Sequence, residues 1–202
     1  LAQRVGKELG IPAYLYESAQ PNKERSNLSV IRSGEYEGFF EKIKEDKWKP
    51  DFGPQEMNAQ AGATCIGARD FLIAYNVNLN TKSTRIANRV AFDVREQGRV
   101  KRQGNPYVGP VVKDKNGEPI RIPGKLKHVK GIGWYIEEYG IAQISINLTN
   151  FRETPLHTVF EETRKSAEAR GVRVTGSELV GLVPLEPMLQ AGKYFLEQQG
   201  LS

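Results

Sequence analysis

Between residues 70 and 180 the hydrophobic pattern switches repeatedly between two periods, and the order of the switches restricts the fold more than any other feature of the chain. Phe71, Ile73, Tyr75, Val77 and Leu79 alternate with Leu72, Ala74, Asn76 and Asn78, the period of two expected of a strand. Ser83 can cap a helix running to about Glu96, in which Ile86, Val90 and Val94 recur four apart. Residues 129–137 and 141–149 read as two further strands across a tight Glu138-Tyr139-Gly140 turn. A helix follows over about residues 155–170 and stops at Gly171, then a strand over 172–180 and a last helix over 187–198. Strand, helix, strand, strand, helix, strand is the ferredoxin-like order, an α+β fold in which one sheet carries both helices on a single face.

A sheet covered on one side only must show a polar pattern on the other. The third strand sets Ala142, Ile144, Ile146 and Leu148 against Gln143, Ser145, Asn147 and Thr149, and the first strand adds Asn76 and Asn78. Such a row of amides and hydroxyls suits a polar ligand or a second polar layer, and it equally suits a wetted sheet face; alternation alone does not choose between them.

Ahead of this region, Leu1, Val5 and Leu9 share one stripe of a helix stopped by Gly10, and residues 11–17 read as a strand. Two short helices are expected near residues 28–32 and 35–44. Over 47–62 the period dissolves among Pro50, Gly53, Pro54 and Gly62, yet Trp48, Phe52 and Met57 are costly to leave solvated, which points to an ordered functional loop. The chain opens inside a helix without an initiating Met, as expected of a segment of something longer.

Charge and cysteine content exclude several classes. Net charge is +5, but residues 98–127 alone carry +6 (Arg99, Lys101, Arg102, Lys113, Lys115, Arg121, Lys125 and Lys127 against Asp114 and Glu118), so the remainder is near neutral. The basic balance is that of an insertion with its own hairpin signal, Val111-Val112, Asn116-Gly117 and Ile120 with Ile122, and it argues against nucleic acid as a partner. A single cysteine, Cys65, excludes an internal disulfide framework, and with only His128 and His157 beside it no metal site is expected; a reducing, cytoplasmic setting fits. No run approaches the roughly 20 apolar residues of a membrane span. Gly131, Gly133 and Gly140 open no helix, so they are not a dinucleotide fingerprint. His157, in the first turn of a helix, reads as a capping or packed residue, and His128 as a surface one.

Longer blocks carry more. Ile31-Arg32-Ser33-Gly34-Glu35-Tyr36-Glu37, Trp48-Lys49-Pro50-Asp51-Phe52-Gly53-Pro54, Gly62-Ala63-Thr64-Cys65-Ile66-Gly67-Ala68-Arg69, Gly131-Ile132-Gly133-Trp134-Tyr135, Leu156-His157-Thr158-Val159-Phe160-Glu161-Glu162 and Leu179-Val180-Gly181-Leu182-Val183-Pro184 occur in order along the chain. In these blocks the chain resembles the formiminotransferase domain, found alone or at the front of formiminotransferase-cyclodeaminase. The resemblance implies two α/β subdomains whose sheets face each other across a folate tunnel, with residues 1–69 ending the first and 70–202 forming the second. It implies a transferase moving the formimino group of N-formimino-L-glutamate to tetrahydrofolate in histidine breakdown, with tetrahydrofolate as co-substrate, no metal, no membrane and a homodimeric assembly. The catalytic base would be a histidine upstream of Leu1, to which neither histidine here corresponds, so this segment alone would bind poorly and turn over nothing. The folate-binding stretch would be Gly53, Pro54, Gln55, Glu56, Met57, Asn58, Ala59, Gln60, Ala61 and Gly62, with Asn58 and Gln60 pairing with the pterin and Met57 lying against its ring. Asn76, Asn78, Gln143, Ser145 and Asn147 would line the tunnel.

Two rivals share the ferredoxin-like order. An RNA-binding module wants exposed aromatics on the open face, where Gln143, Ser145 and Asn147 are expected instead. An amino-acid-sensing domain would bind without turnover.

Overall fold

A glycine decides how the first helix packs. In the computed structural model, which describes residues 1–201, α1 (Ala2–Leu9) ends at Gly10 in the left-handed conformation (φ 63°). The expected stripe of Leu1, Val5 and Leu9 is not its packed face: Leu1 and Leu9 are 85% and 63% exposed, while Ala2 and Gly6 are buried. A Cβ on Gly6 would stand 2.5 Å from the Gly53 amide nitrogen, so the helix rests its smallest residues on the loop backbone and turns its leucines outward. Then follow β1 (Ala13–Glu17), α2 (Leu28–Ile31), α3 (Glu35–Lys42) and β2 (Thr64–Ala68), which pairs parallel with β1 from Ala13 opposite Thr64. No strand is expected at β2 from the sequence alone.

These elements form one compact unit, Leu1–Arg69, around Tyr14, Ile31, Phe39, Ile43 and Trp48. The stretch over 47–62 is ordered, as its aromatics required. The Tyr14 hydroxyl donates to the Trp48 carbonyl (2.5 Å), and the Asp51 carboxylate accepts from the Leu15 amide (2.8 Å), Gln20 Nε2 (3.1 Å) and Arg25 (3.2 Å). The segment from Trp48 to Phe52 is therefore scaffold, tied to the first strand.

The second unit, Asp70–Ser202, runs β3 (Ile73–Leu79), α4 (Thr84–Val94), β4 (Arg99–Val100), β5 (Arg121–Ile122), β6 (Val129–Ile136), β7 (Ile141–Leu148), α5 (Leu156–Glu168), β8 (Val174–Val180) and α6 (Leu185–Gln198). Four strands make one antiparallel sheet in the order β6-β7-β3-β8. Ser83 caps α4 as expected, its Oγ accepting from the Ile86 amide (3.3 Å). Val77, Leu79, Ile144, Ile146 and Leu148 are at most 1% exposed and pack with Ala87, Val90 and Val94 of α4 and Val159 of α5. Burying each such side chain contributes about 1.5–3 kcal/mol. Helices thus cover one face of the sheet, and the α+β class read from the periods is the observed one. The insertion between α4 and β6 carries the two short strands β4 and β5 and a turn in which the Asp114 amide donates to the Glu118 carbonyl (2.8 Å) with Gly117 at φ 84°.

Candidate functional site

Gly133 decides what the open face of the second unit displays. A Cβ on Gly133 would meet the Asn88 amide nitrogen at 2.3 Å, so glycine alone lets α4 lie this close to β6. Asn88 then closes the exposed edge of that strand, its Nδ2 donating to the Gly133 carbonyl (2.9 Å) and its Oδ1 accepting from the Gly133 amide (3.2 Å). With Val129, Gly131 and Gly133 turned to the helices, strand alternation sends Lys130, Ile132 and Trp134 to the other face.

Register arranges that face in rows. Trp134, Gln143, Asn78 and Gly176 stand opposite one another across the four strands; the next row is Ile132, Ser145, Asn76 and Glu178, and the third Lys130, Asn147, Ala74 and Val180. The polar groups are bonded to each other. Trp134 Nε1 donates to Gln143 Oε1 (2.9 Å), and Gln143 Nε2 donates to Asn78 Oδ1 (2.7 Å) and to Glu178 Oε1 (2.7 Å). Asn76 Nδ2 donates to the same Glu178 oxygen (3.1 Å).

Asn76, Asn78, Ser145 and Asn147 are half-buried on the helix-free side, together as the alternation implied. Gln143 needs a correction. It stands on that side but is fully buried, because its neighbours close over it, so it does not itself line an opening. Trp134, 47% exposed, and Glu178 complete the cluster and were missed, since their membership depends on register. Trp134 also removes one ground for setting RNA aside: an aromatic does stand on the open face. What separates this face from a single-strand reader is the Glu178 carboxylate with Lys130 as the one cation in the three rows.

In the first unit, the Gly53-to-Gly62 segment borders a cavity of about 330 Å³ lined by Arg32, Tyr36, Phe39, Met57, Gly62 and Cys65 among others. Gly53 (φ 88°) has no room for a side chain, since a Cβ would lie 2.7 Å from the Ile11 carbonyl oxygen. The loop is tied internally. Asn58 Oδ1 accepts from the Gln60 and Ala61 amides (3.0 and 2.9 Å), the Gly62 amide donates to the Asn58 carbonyl (2.7 Å), and the Tyr36 hydroxyl donates to the Ala59 carbonyl (2.7 Å). Asn58 Oδ1 is therefore spent on the turn, so of the pairing expected of Asn58 only its Nδ2 donor remains. Gln55 Nε2 donates to the Ile43 carbonyl (3.1 Å), while Pro54, Glu56, Ala59 and Gln60 are exposed on the rim. Of the ten expected residues, Met57, Ala61 and Gly62 line the cavity. Burial pushes the Cys65 thiol up, which keeps it protonated and unsuited to nucleophilic attack.

Neither histidine belongs to these places. His157 stacks on Tyr194 (ring centroids 4.4 Å) beside a second cavity, of about 350 Å³, walled by α5 and α6; burial holds its imidazole below the ordinary 6.5. His128 Nε2 lies 2.8 Å from the Glu153 carboxylate. Among the described residues no group of three or more His, Cys, Asp or Glu could hold a metal ion, and no helix is long and apolar enough to cross a membrane.

Comparison with known proteins agrees with this layout. Residues 74–202 match the family profile of the formiminotransferase domain, and residues 1–69 that of its N-terminal subdomain. The chain is 48% identical over 200 residues to a formimidoyltransferase-cyclodeaminase of Dictyostelium discoideum, covering 98% of the chain and 33% of that protein. It is 43% identical to a glutamate formimidoyltransferase of Thermoplasma acidophilum (99% of the chain, 58% of that protein) and 36% identical to one of Streptococcus pyogenes (98% and 58%). The chain thus spans between a third and three fifths of the length of these relatives. With family profiles matched along nearly its whole length, the chain belongs to the formiminotransferase family.

Proposed function

We propose that this chain carries ligand-handling surfaces of a glutamate formimidoyltransferase, which moves the formimino group of N-formimino-L-glutamate to N5 of tetrahydrofolate and releases L-glutamate. The single observation that carries this reading is the hydrogen-bonded array of Trp134, Gln143, Asn78, Asn76 and Glu178 on a sheet face that no helix of its own unit covers, in a chain whose relatives bear that name. A solvated sheet face has no need to orient a buried amide or to present a tryptophan.

In this reaction the N5 amine attacks the formimino carbon, a C–N bond forms, and the bond to the glutamate nitrogen breaks as that nitrogen takes up the proton lost by N5. Little of this requires covalent help from the protein; holding two reactants in place and moving one proton suffices. The histidine that moves it is one outside these residues, as the resemblance to the formiminotransferase domain implies; within them His157 stacks on Tyr194 and His128 lies 2.8 Å from the Glu153 carboxylate. The Gly53-to-Gly62 loop and its cavity receive the folate, with Met57 as the apolar wall and Asn58 holding the loop in shape.

The test is a transfer assay on the polypeptide carrying this chain at the full length of its relatives, with tetrahydrofolate and N-formimino-L-glutamate as substrates. Transfer is expected from the parent. Asn58→Ala, which removes the acceptor for two loop amides, is expected to weaken tetrahydrofolate binding about tenfold. A parent without transfer, or an Asn58→Ala protein with unchanged affinity, contradicts the respective assignment.

A further inference from the structure

The Gln143 side chain sits between a group that can only donate and a group that can only accept. An indole N–H has no acceptor to offer, and a carboxylate has no donor. Trp134 on one side and Glu178 on the other therefore leave the amide a single orientation, with Oε1 toward Trp134 and Nε2 toward Glu178. Both Nε2 hydrogens are used, one on Glu178 and one on Asn78, and the side chain is fully buried, so Gln143 has no donor left for a ligand. Its polarity is passed on. Asn78 must turn Oδ1 to Gln143, which leaves its Nδ2 hydrogens facing the open side. There the neighbouring position is Gly176, where even a Cβ would keep 3.9 Å from that nitrogen. Asn76 must turn Nδ2 to Glu178, which leaves Oδ1 facing out. Glu178 receives both amide bonds on Oε1, and among the described residues it forms no ion pair with any Lys or Arg.

The face accordingly displays, side by side, an N–H donor on Asn78, a carbonyl acceptor on Asn76 and a second, free carboxylate oxygen on Glu178, with the Trp134 ring and Ile132 (58% exposed) as an apolar border. We infer that Gln143 is a positioning residue that locks this polarity, and that the locked face takes a planar N–C–N group presenting N–H donors to Asn76 and Glu178. The inference rests on the reading proposed above and deepens it, because both reactants of that reaction contain such a group. The formimino unit is an amidine, cationic when protonated, and the pterin ring carries a 2-amino group beside a ring N–H with a carbonyl next to it. A carboxylate desolvated against either gains a charge-assisted pair of bonds.

The experiment uses the full-length polypeptide and three variants, Glu178→Gln, Gln143→Glu and the double variant, with kcat and the KM for N-formimino-L-glutamate, the dissociation constant for tetrahydrofolate, and the melting temperature as readouts. Glu178→Gln keeps shape and can still accept from Gln143 but lacks the charge. It is expected to raise either the KM for the donor or the dissociation constant for tetrahydrofolate by about tenfold or more, with a smaller change in kcat; the constant that moves names the ligand. Gln143→Glu still accepts from Trp134 but sets a second carboxyl against Glu178, so at most one O–H replaces the two amide hydrogens that served Asn78 and Glu178, and it is expected to weaken the same constant and lower the melting temperature. In the double variant, the amide introduced at position 178 can donate to the carboxylate introduced at position 143. Recovery of the melting temperature without recovery of affinity separates locked polarity from mere packing and supports the inference; joint recovery of both overturns it. A parent that transfers nothing overturns the proposed function and this inference with it. A parent that transfers normally while both constants of Glu178→Gln and Gln143→Glu stay within about twofold of its own overturns the inference alone.

Discussion

Gly133→Ala is expected to cost about 3 kcal/mol of stability and to lower the melting temperature by roughly 6–12 °C in a chain of this size. The added Cβ would stand 2.3 Å from the Asn88 nitrogen and 2.4 Å from the Ala87 carbonyl carbon, both backbone atoms of α4 that no rotamer change can move. Either the helix lifts from β6, opening the core around Val90 and Ala91, or the edge strand slides and takes Trp134 with it. Both routes break the paired bonds between Asn88 and Gly133. Gly131→Ala supplies the control two residues away, where the nearest atoms to the Cβ would be the Ser145 carbonyl oxygen at 3.5 Å, the Ile146 side chain at 3.7 Å and the Ala91 methyl at 4.0 Å, so its melting temperature should stay close to the parent's. Equal damage from the two substitutions would show that the close approach of α4 to β6 is not what the glycine serves.

The second large effect is expected at Lys42. Its ammonium is buried in the first unit and donates to the carbonyls of Val30 (2.9 Å), Ile31 (2.6 Å) and Ser33 (3.0 Å) and to Ser33 Oγ (2.9 Å), with the Trp48 ring centroid 4.0 Å away. This one cation shapes the turn that presents Arg32, Glu35 and Tyr36 to the cavity beside the Gly53-to-Gly62 loop. Lys42→Met keeps the length of the side chain and removes every donor, so the Ile31 and Ser33 carbonyls lose the ammonium, while the Val30 carbonyl keeps the Ser33 hydroxyl (2.8 Å). A loss of about 3 kcal/mol is expected, with much faster amide hydrogen exchange over residues 30–36. Unchanged protection there would mean that the turn holds itself.

What could be read from the sequence follows from where the determining contacts lie. Ser83, Gly10 and the alternation in Ile73–Leu79 and Ile141–Leu148 act within a few residues of themselves, so cap, stop and strands were all legible. Leu1, Val5 and Leu9 misled because the stripe they form is not the one that packs; Gly6 against Gly53 outweighs it. The strand Thr64–Ala68 has too short a run to show a period, and its partner Ala13–Glu17 lies far back along the chain. Asn76, Asn78, Ser145 and Asn147 were found because they alternate with core residues. Glu178 and Trp134 could not be, since they join the cluster through strand register with Asn76 and Gln143. The same register hides Gln143: its parity put it on the right face, but only the long side chains flanking it on both sides bury it there.

The loop shows the complementary limit. Asn58 and Gln60 look equally able to meet a heterocycle, yet the turn consumes the Asn58 carbonyl oxygen and leaves Gln60 on the exposed rim. A side chain with good hydrogen-bonding chemistry is often spent on its own backbone first.

If the helix-free face of the four-stranded sheet receives a reactant, its side-chain N–H groups must sense that reactant's arrival. The most direct test is to follow those signals by nuclear magnetic resonance while tetrahydrofolate and N-formimino-L-glutamate are added in turn to the full-length polypeptide. The Trp134 indole signal and the side-chain amides of Asn76 and Asn78 are expected to shift saturably with at least one of the two. Formimino transfer under the same conditions with all three signals unmoved would contradict a reactant site on this face.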